Sequence, residues 1–570
     1  MSARIAKIVP AAAAMFAAAV LNAQDDAVMK AMRDEMARSM SQLSIENLQK
    51  PYYIAYRVVD SETCNVNASF GALNNTGSSR SRRLSVEVRV GDYKFDNSGF
   101  LSFSFDGGTS MFMGLGGTEL TLDDDYKEIR RQIWLATDGA YKRAVENYSK
   151  KKASLENKTR SDDTPDFSKE TPTVTADIRP EVKIDRSQFE SEARALSALF
   201  RQMPAIETSH VAFNADIIYT RYLNSEGTSY TRRLPNLSVN INAATQAPDG
   251  HALNDFVWYH GRSPADLPAE DKLAARAREL GGYLTSLRDA SILANYNGPM
   301  LAEGNAAAQL IRLDFLPNLV GMKTLASDLP NGMVPGGRGQ ATENAFLDKV
   351  GARVFPEFLS LTDNPLIAEY QGFKLAGMSK IDEDGVPSRE VKLVENGYLK
   401  SLLVTRDPVR GFEQSTGSRH VGQASPTNLI VTSTNGLSNE DLRAKLVALV
   451  TQRHLEFGMI VRRLRNGNTP VLLYKAFPDG HEELVRNMQF SGMNAAAFKD
   501  IVATSKDLNA LTVEYRPQQN NFLAFQMLPE ANYWPVTIVA PSLLFEDVTL
   551  RRIRTAAPNP PVATHPFFDK

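Results

Sequence analysis

One stretch of the sequence, from Asn297 to Leu310, has the layout of a zinc-peptidase helix but lacks the zinc ligands. It predicts a short strand, a turn at Gly298-Pro299 and a helix that ends at Pro317. A zinc helix of this kind needs a His-Glu-x-x-x-His pattern or a near relative, so that two imidazoles and a carboxylate share one face. The six residues found here are Ala302-Glu303-Gly304-Asn305-Ala306-Ala307.

Glu303 is the one residue of that pattern that is present, because Ala302 and Ala307 occupy the two histidine positions. An alanine side chain cannot bind a metal ion. The sequence therefore predicts no catalytic, cofactor-binding or metal-binding residue in this chain. Glu303 would act as a general base only if the protein is active.

The seven histidines do not restore a metal site by their spacing. His251 and His260 are nine residues apart, which is no ligand spacing on one helix. His481 begins a His-Glu-Glu-Leu run, but no second histidine follows at the required position. His420 lies in a turn rich in glycine and serine, which predicts a solvated loop residue. A position that lines a cavity is the alternative for His420.

Other hydrolase chemistries lack their motifs. The sequence has no Gly-x-Ser-x-Gly pattern that would mark a serine nucleophile. The single cysteine, Cys64, excludes an intrachain disulfide and leaves no thiol nucleophile in the C-terminal half. Paired carboxylates such as Glu482-Glu483 are too common on protein surfaces to indicate a glycosidase.

Length and charge limit the class of protein. The 570 residues are too many for one core, so at least two domains are expected. The formal net charge of −2 gives no general affinity for polyanions. Residues 82–90 alternate as a half-buried strand does, and their arginines are expected on a solvated sheet face. No nucleic-acid partner is therefore expected.

Residues 1–23 have the pattern of a secretory signal peptide. Arg4 and Lys7 precede an apolar, alanine-rich run, and Leu21-Asn22-Ala23 fits a cleavage site. The run is shorter than the roughly 20 apolar residues that a membrane span takes. A buried N-terminal helix is the alternative. We expect an exported protein, periplasmic or extracellular after cleavage near Ala23, with no stable membrane anchor.

The pattern of the remaining chain predicts an α+β protein with two domains. Residues 24–292 are expected to form an α/β domain, interrupted by a polar, exposed excursion at about 150–180. Residues 293–555 carry hairpin signals such as Glu395-Asn396-Gly397 and are expected to form a mostly antiparallel β domain. Residues 556–570 are expected to be a tail.

Several segments of the C-terminal half resemble those of a known family. Residues 383–389 look like its Gly-Val-Pro-Thr-Arg segment, and the hairpin at 395–399 follows as it does there. Residues 425–429 resemble its Pro-x-Asn-Leu segment, and residues 540–550 fit its closing strand. Their order and spacing resemble the TldD/PmbA (TldD/TldE) metalloprotease family, once called modulators of DNA gyrase, over about residues 295–552.

This resemblance implies an N-terminal α/β domain and a C-terminal, mostly antiparallel β domain. Active members carry His-Glu-x-x-x-His and a later cysteine as metal ligands, and act on unfolded peptides in a chamber made by two subunits. The PmbA-type partner lacks the histidine pair and forms a heterodimer with a TldD-type subunit. This chain resembles the PmbA type, because its motif is degenerate and its C-terminal half has no cysteine. The signal peptide departs from the cytoplasmic members, so a link to gyrase is not expected.

Two classes of function follow. The first is a metal-free, non-catalytic subunit that binds unfolded peptides and pairs with a TldD-like subunit in which zinc is expected, or pairs with itself as a homodimer. The second is an active metallopeptidase with a metal site that the sequence does not reveal.

Overall fold

The structure is a computed structural model that describes most of the chain. The described residues are 26–101, 117–155, 163–323, 326–327, 346–465, 469–516, 527, 529–554, 559, 561, 563 and 565–568. The predicted signal peptide at 1–23 lies outside them, as does about half of the predicted tail at 556–570. Within the described ranges, no helix is both long enough and apolar enough to cross a membrane.

The N-terminal half is built on one seven-stranded sheet. Its strands lie in the order β4-β2-β1-β6-β7, and β5 and β8 both pair with β7. The strands of this half are β1 (Pro51–Ser69), β2 (Ala72–Val90), β3 (Phe100–Leu101), β4 (Thr118–Glu119), β5 (Val174–Ile178), β6 (Thr208–Asn224), β7 (Ser229–Gln246) and β8 (Ala252–Gly261).

Four helices cover one face of this sheet. They are α1 (Ala27–Gln42), α2 (Tyr126–Leu155), α3 (Arg186–Ala198) and α4 (Glu270–Arg288). Asp26 and Asp185 cap α1 and α3, because each side chain accepts a hydrogen bond from a free backbone N–H of the first turn. Apolar side chains of alternate strand positions, such as Ile54 and Val239, pack with apolar helix side chains in two clusters.

The opposite face of the sheet is turned towards the C-terminal half. Side chains alternate along a strand, so Tyr53, Arg57 and Val59 of β1 lie on this second face, with Tyr230 and Arg232 of β7. Val59 belongs to the main core of the C-terminal half, and Tyr53 and Tyr230 pack in a cluster with Ile381. Both faces of the sheet are therefore buried, one by helices and one by the second domain.

The C-terminal half contains a twelve-stranded sheet in the order β15-β14-β11-β18-β25-β9-β20-β21-β22, with β19, β23 and β24 attached to it. Most neighbours are antiparallel, and three pairs, β18–β25, β9–β20 and β19–β24, are parallel. The strands are β9 (Asn295–Ala302), β10 (Ala326–Ser327), β11 (Leu359–Asp363), β12 (Glu369–Tyr370), β13 (Phe373–Lys374), β14 (Val391–Glu395), β15 (Tyr398–Leu399), β16 (Arg419–His420), β17 (Gln423–Ala424), β18 (Asn428–Ser433), β19 (Gly436–Leu437), β20 (Gly458–Leu464), β21 (Pro470–Ala476), β22 (Glu482–Val485), β23 (Met488–Phe490), β24 (Ile501–Tyr515) and β25 (Trp534–Arg552).

Two helices accompany this sheet. Helix α5 (Asn305–Leu310) continues as a π-helical turn at Ile311–Phe315 and a 3₁₀ turn at Leu316–Asn318. Helix α6 (Asn439–Gln452) begins after Ser438, whose side chain accepts a hydrogen bond from the backbone N–H of Asp441. The fold class expected from the sequence, α+β with an α/β region before a mostly antiparallel β domain, is confirmed.

Three local expectations were wrong. Strand β9 runs through Gly298-Pro299, where a turn was predicted, because pairing with β25, in which Val548 lies opposite Gly298, holds it extended. The polar stretch at 150–180 is not wholly exposed, since Asp166, Phe167 and Ser168 are buried. The arginines of residues 82–90 do not all face solvent, because Arg82 and Arg89 are buried in ion pairs.

Candidate functional site

Ala302 and Ala307, which occupy the two histidine positions of the His-Glu-x-x-x-His pattern, lie at the junction of β9 and α5. Ala302 is the last residue of β9, and Ala307 lies inside α5, so the two positions do not share one helix. Gly304 makes the bend between them at a φ of 56°. Both alanines are fully buried and belong to the main apolar core of the C-terminal half. Core packing has therefore taken the space of the two ligands.

Glu303 is bound by two arginines from neighbouring elements. Its carboxylate accepts hydrogen bonds from Nε (2.8 Å) and Nη2 (3.1 Å) of Arg443 on α6 and from Nε of Arg462 (2.9 Å) on β20. Arg462 also donates to both carboxylate oxygens of Glu482 on β22, at 2.8 and 2.7 Å. We call these four residues the Glu303 network.

The Glu303 network is close to electroneutral, with two carboxylates and two guanidinium groups. A general base needs a free lone pair directed at the proton that it removes. The oxygens of Glu303 are instead occupied by charge-assisted hydrogen bonds. Two buried alanines and an arginine-paired glutamate do not fit a metal ion.

The histidines lie apart from this place and from one another. In the part of the chain that the structure describes, no three His, Cys, Asp or Glu side chains are grouped so as to hold a metal ion. His481 stacks on Phe477 near the surface, with ring centroids 4.0 Å apart. His420 was predicted to be solvated, which is wrong: it is fully buried and stacks on Trp534 at 4.0 Å.

A buried charged cluster, which sequence analysis did not predict, joins the two domains at Glu383. Glu383 accepts hydrogen bonds from the backbone N–H of Val421 (2.9 Å) and Gly422 (2.9 Å), and Arg57 Nη1 of β1 lies 3.9 Å from its carboxylate. Arg232 of β7 pairs with Glu530 at 3.2 Å. Tyr230 donates a short hydrogen bond to Glu530. We call Arg57, Tyr230, Arg232, Glu383 and Glu530 the Glu383 cluster.

Burial changes the pKa of two carboxyl groups at this cluster, Glu383 and the neighbouring Asp382. Burial raises the pKa of Glu383 above its ordinary value, and the positive charge of Arg57 acts against that rise. Burial, and then the neighbouring charge of Asp384, raises the pKa of Asp382 to about 8. The hydrogen bonds and paired arginines satisfy these groups, so the cluster is suited to fixing one domain against the other.

Further ion pairs extend the contact between the two halves. Arg406 donates to both carboxylate oxygens of Glu226, at 2.7 and 2.9 Å, and to the carbonyl oxygen of Ser168 at 3.2 Å through Nε. Arg89 contacts Asp407 at 3.1 Å. These contacts explain why the stretch around Ser168 is buried, and they make the interface between the domains strongly polar.

Sequence reasoning missed the Glu383 cluster for a physical reason. The alternation of side chains along a strand does not distinguish an arginine that faces solvent from one that faces a second domain. Arg57 and Arg232 are two such arginines. Residues 383–389 were noticed for their resemblance to a family segment, and that segment supplies Glu383. Charged residues that face one another across the interface of the two domains can be identified only when the relative position of the domains is known.

Comparison with known proteins adds a match for the C-terminal domain. Residues 322–552 match the family model described as the PmbA/TldA metallopeptidase C-terminal domain. No curated protein matches the chain in sequence.

Solved structures share the fold over nearly the whole chain. A candidate modulator of a DNA gyrase from Thermotoga maritima is 15% identical and superposes with a TM-score of 0.56, over 91% of this chain and 100% of that one. TldE from Thermococcus kodakarensis is 14% identical, with a TM-score of 0.55 over 91% of this chain and 99% of that one. A candidate modulator of DNA gyrase from Bacteroides thetaiotaomicron is 13% identical, with a TM-score of 0.55 over 92% and 98%. At these identities the likeness shows a common fold.

Proposed function

Because the chain belongs to the TldD/PmbA family, we propose that it is the metal-free, non-catalytic subunit of a heterodimeric metallopeptidase that acts on unfolded peptides. The observation that carries this proposal is the state of the motif. Ala302 and Ala307 are fully buried in the core, and Glu303 is paired with two arginines. A catalytic zinc site needs three protein ligands and an open position, and this arrangement offers neither.

Electrostatics support the same conclusion. A divalent cation placed beside Glu303 would lie next to the guanidinium groups of Arg443 and Arg462, which repel it. The carboxylate could be released only by giving up both ion pairs. The arginines of the Glu303 network thus neutralise the carboxylate of Glu303. In this proposal Glu303 has a structural role, since its ion pairs join α6 and β20 to the end of β9.

The proposed partner is a TldD-like subunit that carries both histidines and binds zinc. The family resemblance supports pairing of unlike subunits, and one of the structural neighbours is named TldE. A homodimeric peptide-binding protein is the second candidate. It is favoured by the same observation, the buried alanines at the histidine positions and the arginine-paired Glu303. An active enzyme with ligands elsewhere is the third, and it requires a metal site outside the Glu303 network.

The proposed location is outside the cytoplasm. It is supported by the basic start, the short apolar run and the small residues near Ala23. Amino-terminal sequencing of the exported protein is expected to begin at Gln24. A membrane-bound product that keeps Met1 would contradict this.

The first test uses the purified chain alone, prepared without chelators. We expect less than stoichiometric transition metal and no cleavage of casein, with or without added zinc, because the chain offers no ligand set for the ion. Glu303→Ala serves as the matched variant. Stoichiometric metal that is lost in Glu303→Ala, together with chelator-sensitive casein cleavage by the wild-type chain, would overturn the proposal.

A further inference from the structure

Two arginines beside the end of β5 lack a carboxylate partner. Arg179 Nη2 donates to the carbonyl oxygen of Met378 at 3.0 Å, and Arg262 Nη2 donates to that of Ala376 at 3.1 Å. Arg262 Nη1 also donates to the side-chain oxygen of Asn236 at 2.5 Å. Among the described residues, no carboxylate lies within ion-pair distance of either guanidinium group. The segment 376–378 therefore holds two positive charges side by side.

A buried histidine and an indole lie behind these arginines. The guanidinium carbon of Arg262 lies 5.5 Å from the ring centre of Trp534, which stacks on His420. His420 is fully buried, and neither ring nitrogen has a hydrogen-bond partner within the described parts of the chain. The same holds for Nε1 of Trp534. Buried polar groups are nearly always hydrogen-bonded, so unpartnered ones need an explanation, and a missing ligand is one.

The charge around this place is unbalanced towards positive. Arg232 lies nearby, but Glu530 neutralises it. Asp177 lies outside ion-pair distance of both guanidinium groups, although its charge opposes the lowering of their pKa values by burial. Asp266 accepts a hydrogen bond from the backbone N–H of Arg262 and is paired with Lys374. Burial, and then the charge of Arg179, lowers the pKa of Arg262 to about 9. A positive group that is disfavoured by burial and by like charge is stabilised when an anion joins it.

The strand that leads to Arg179 has a free edge. Among the described elements, β5 pairs with β7 alone, and its outward side chains Val174 and Ile178 are exposed. An exposed edge strand presents unpaired N–H and C=O groups to which an extended peptide can add. Because β5 runs towards Arg179, a peptide that lies parallel to it would bring its carboxyl end to the two arginines.

From this arrangement we propose that Arg179 and Arg262 form a binding site for the carboxylate of an extended peptide that pairs with the free edge of β5. The two guanidinium groups hold the carboxylate oxygens, since the planar fork of arginine matches that geometry. On the buried side, Trp534 lies against Arg262, and His420 stacks on Trp534. The chemistry is that of a carboxylate, which either the end of a peptide or an Asp or Glu side chain can supply.

This inference rests on the proposed function, because it takes an unfolded peptide as the ligand. It is nevertheless tested on the isolated chain, without a partner subunit or any cleavage. Failure of the carboxylate site therefore leaves subunit pairing intact, and failure of pairing leaves the carboxylate site intact.

The experiment measures fluorescence anisotropy of an eight-residue peptide of Gly, Ser, Thr and Val that carries fluorescein at its amino end. The free-acid peptide is compared with its C-terminal amide, and with an amide that contains one internal Glu. We expect the free acid to bind about tenfold or more tightly than the plain amide, as a charge-assisted hydrogen-bonded pair contributes. Tight binding of the Glu-containing amide would assign the carboxylate to a side chain instead of the chain end.

The variants Arg179→Gln and Arg262→Gln are expected to remove the preference for the acid. Arg278→Gln is the matched control, because Arg278 is exposed on α4 and lies among no residues of this site. If Arg262→Gln does not fold, Arg179→Gln decides the question, since the side chain of Arg179 makes one hydrogen bond to the residues that the structure describes.

Equal affinity for acid and amide would overturn the proposal, and so would full preference for the acid in Arg179→Gln. Absence of binding by every peptide would overturn it as well. We expect inorganic phosphate to displace the labelled peptide no better than chloride does at equal ionic strength, because the proposed site fits a planar carboxylate. Displacement of the peptide by phosphate alone, without a difference between acid and amide, would contradict the site.

Discussion

At the scale of single residues, Glu303 is a motif residue whose carboxylate is paired with two arginines. Arg443 and Arg462 hold its carboxylate, and Arg462 keeps a second partner in Glu482. The pairs are partly exposed, with 18% exposure for Glu303 and 46% for Arg443, so each contributes little to the free energy of unfolding.

We therefore predict that Glu303→Gln has a small effect. The amide keeps one acceptor oxygen, and the free energy of unfolding should fall by less than ~1 kcal/mol. Peptide cleavage by the assembled pair should change less than about twofold. Loss of a general base would instead lower the rate by roughly 10²-fold or more. A rate loss of that size, with unchanged thermal stability, would assign Glu303 a catalytic role.

Asp314, in the π-helical turn after α5, gives a pH-dependent prediction. Burial raises the pKa of Asp314 to about 6, and its Oδ2 has no hydrogen-bond partner within the described residues. A carboxyl whose pKa is higher in the folded state than in the unfolded chain destabilises the fold once it ionises. The penalty is absent below the unfolded pKa of about 3.9, grows up to about pH 6 and is complete above that.

Asp314→Asn should thus stabilise the protein at pH 8 and have little effect at pH 4. The gain should be roughly 1–2 kcal/mol, less than the full shift would give, because the side chain is only half-buried. Thermal unfolding of both proteins at the two pH values measures it. An equal difference at pH 4 and pH 8 would show that ionisation of Asp314 is not the cause.

At the scale of elements, the loop at residues 382–389 joins the two domains through a close contact at Gly385. Gly385 has a φ of 78°, and a Cβ atom there would lie 2.4 Å from Cγ2 of Thr228. Thr228 lies just before β7, so the contact fixes the loop against the first sheet. The neighbouring Asp382 accepts hydrogen bonds from the backbone N–H of Asp384 and Val386, which keeps the loop tight.

Gly385→Ala is expected to destabilise the protein by roughly 2–4 kcal/mol, combining backbone strain with a steric clash. Gly372→Ala is the matched control, since Gly372 also has a positive φ, 84°, but a Cβ there meets no atom. The control should cost only about 1 kcal/mol. Chemical denaturation of the three proteins checks this, and equal losses in both variants would argue against a close contact at Gly385.

Elements with a strong period were predictable from sequence, and those decided by distant partners were not. The alternation at residues 82–90 predicted a strand that lies within β2, and the Glu395-Asn396-Gly397 signal predicted the hairpin that β14 and β15 form. The Gly298-Pro299 pair predicts a turn, yet pairing with β25 keeps it extended. The residues around His420 predict a solvated loop, yet the indole of Trp534 stacks on His420 and helps to bury it. In both cases the deciding contact comes from more than 100 residues away.

At the scale of the whole molecule, the two sheets are held together by buried ion pairs as well as by apolar packing. Arg57 and Arg232 reach from the first sheet to Glu383 and Glu530 of the second domain. Loss of one partner from such a pair leaves an uncompensated buried charge, which is strongly destabilising. The carboxylate of Glu303 is paired with arginines, while the Glu383 cluster joins the two domains, and both observations agree with the proposed non-catalytic role.

Coexpression with a relative that carries both histidines of the motif tests directly whether this chain is one subunit of a heterodimeric metallopeptidase. The complex is purified by a tag on this chain and weighed by native mass spectrometry, with metal content and peptide cleavage measured on the same sample. We predict one copy of each subunit, an interface that buries well over ~2,000 Å² and survives gel filtration, and zinc in the relative alone. Failure of the relative to copurify, or full activity of the relative without this chain, would contradict the proposed pairing of the two subunits.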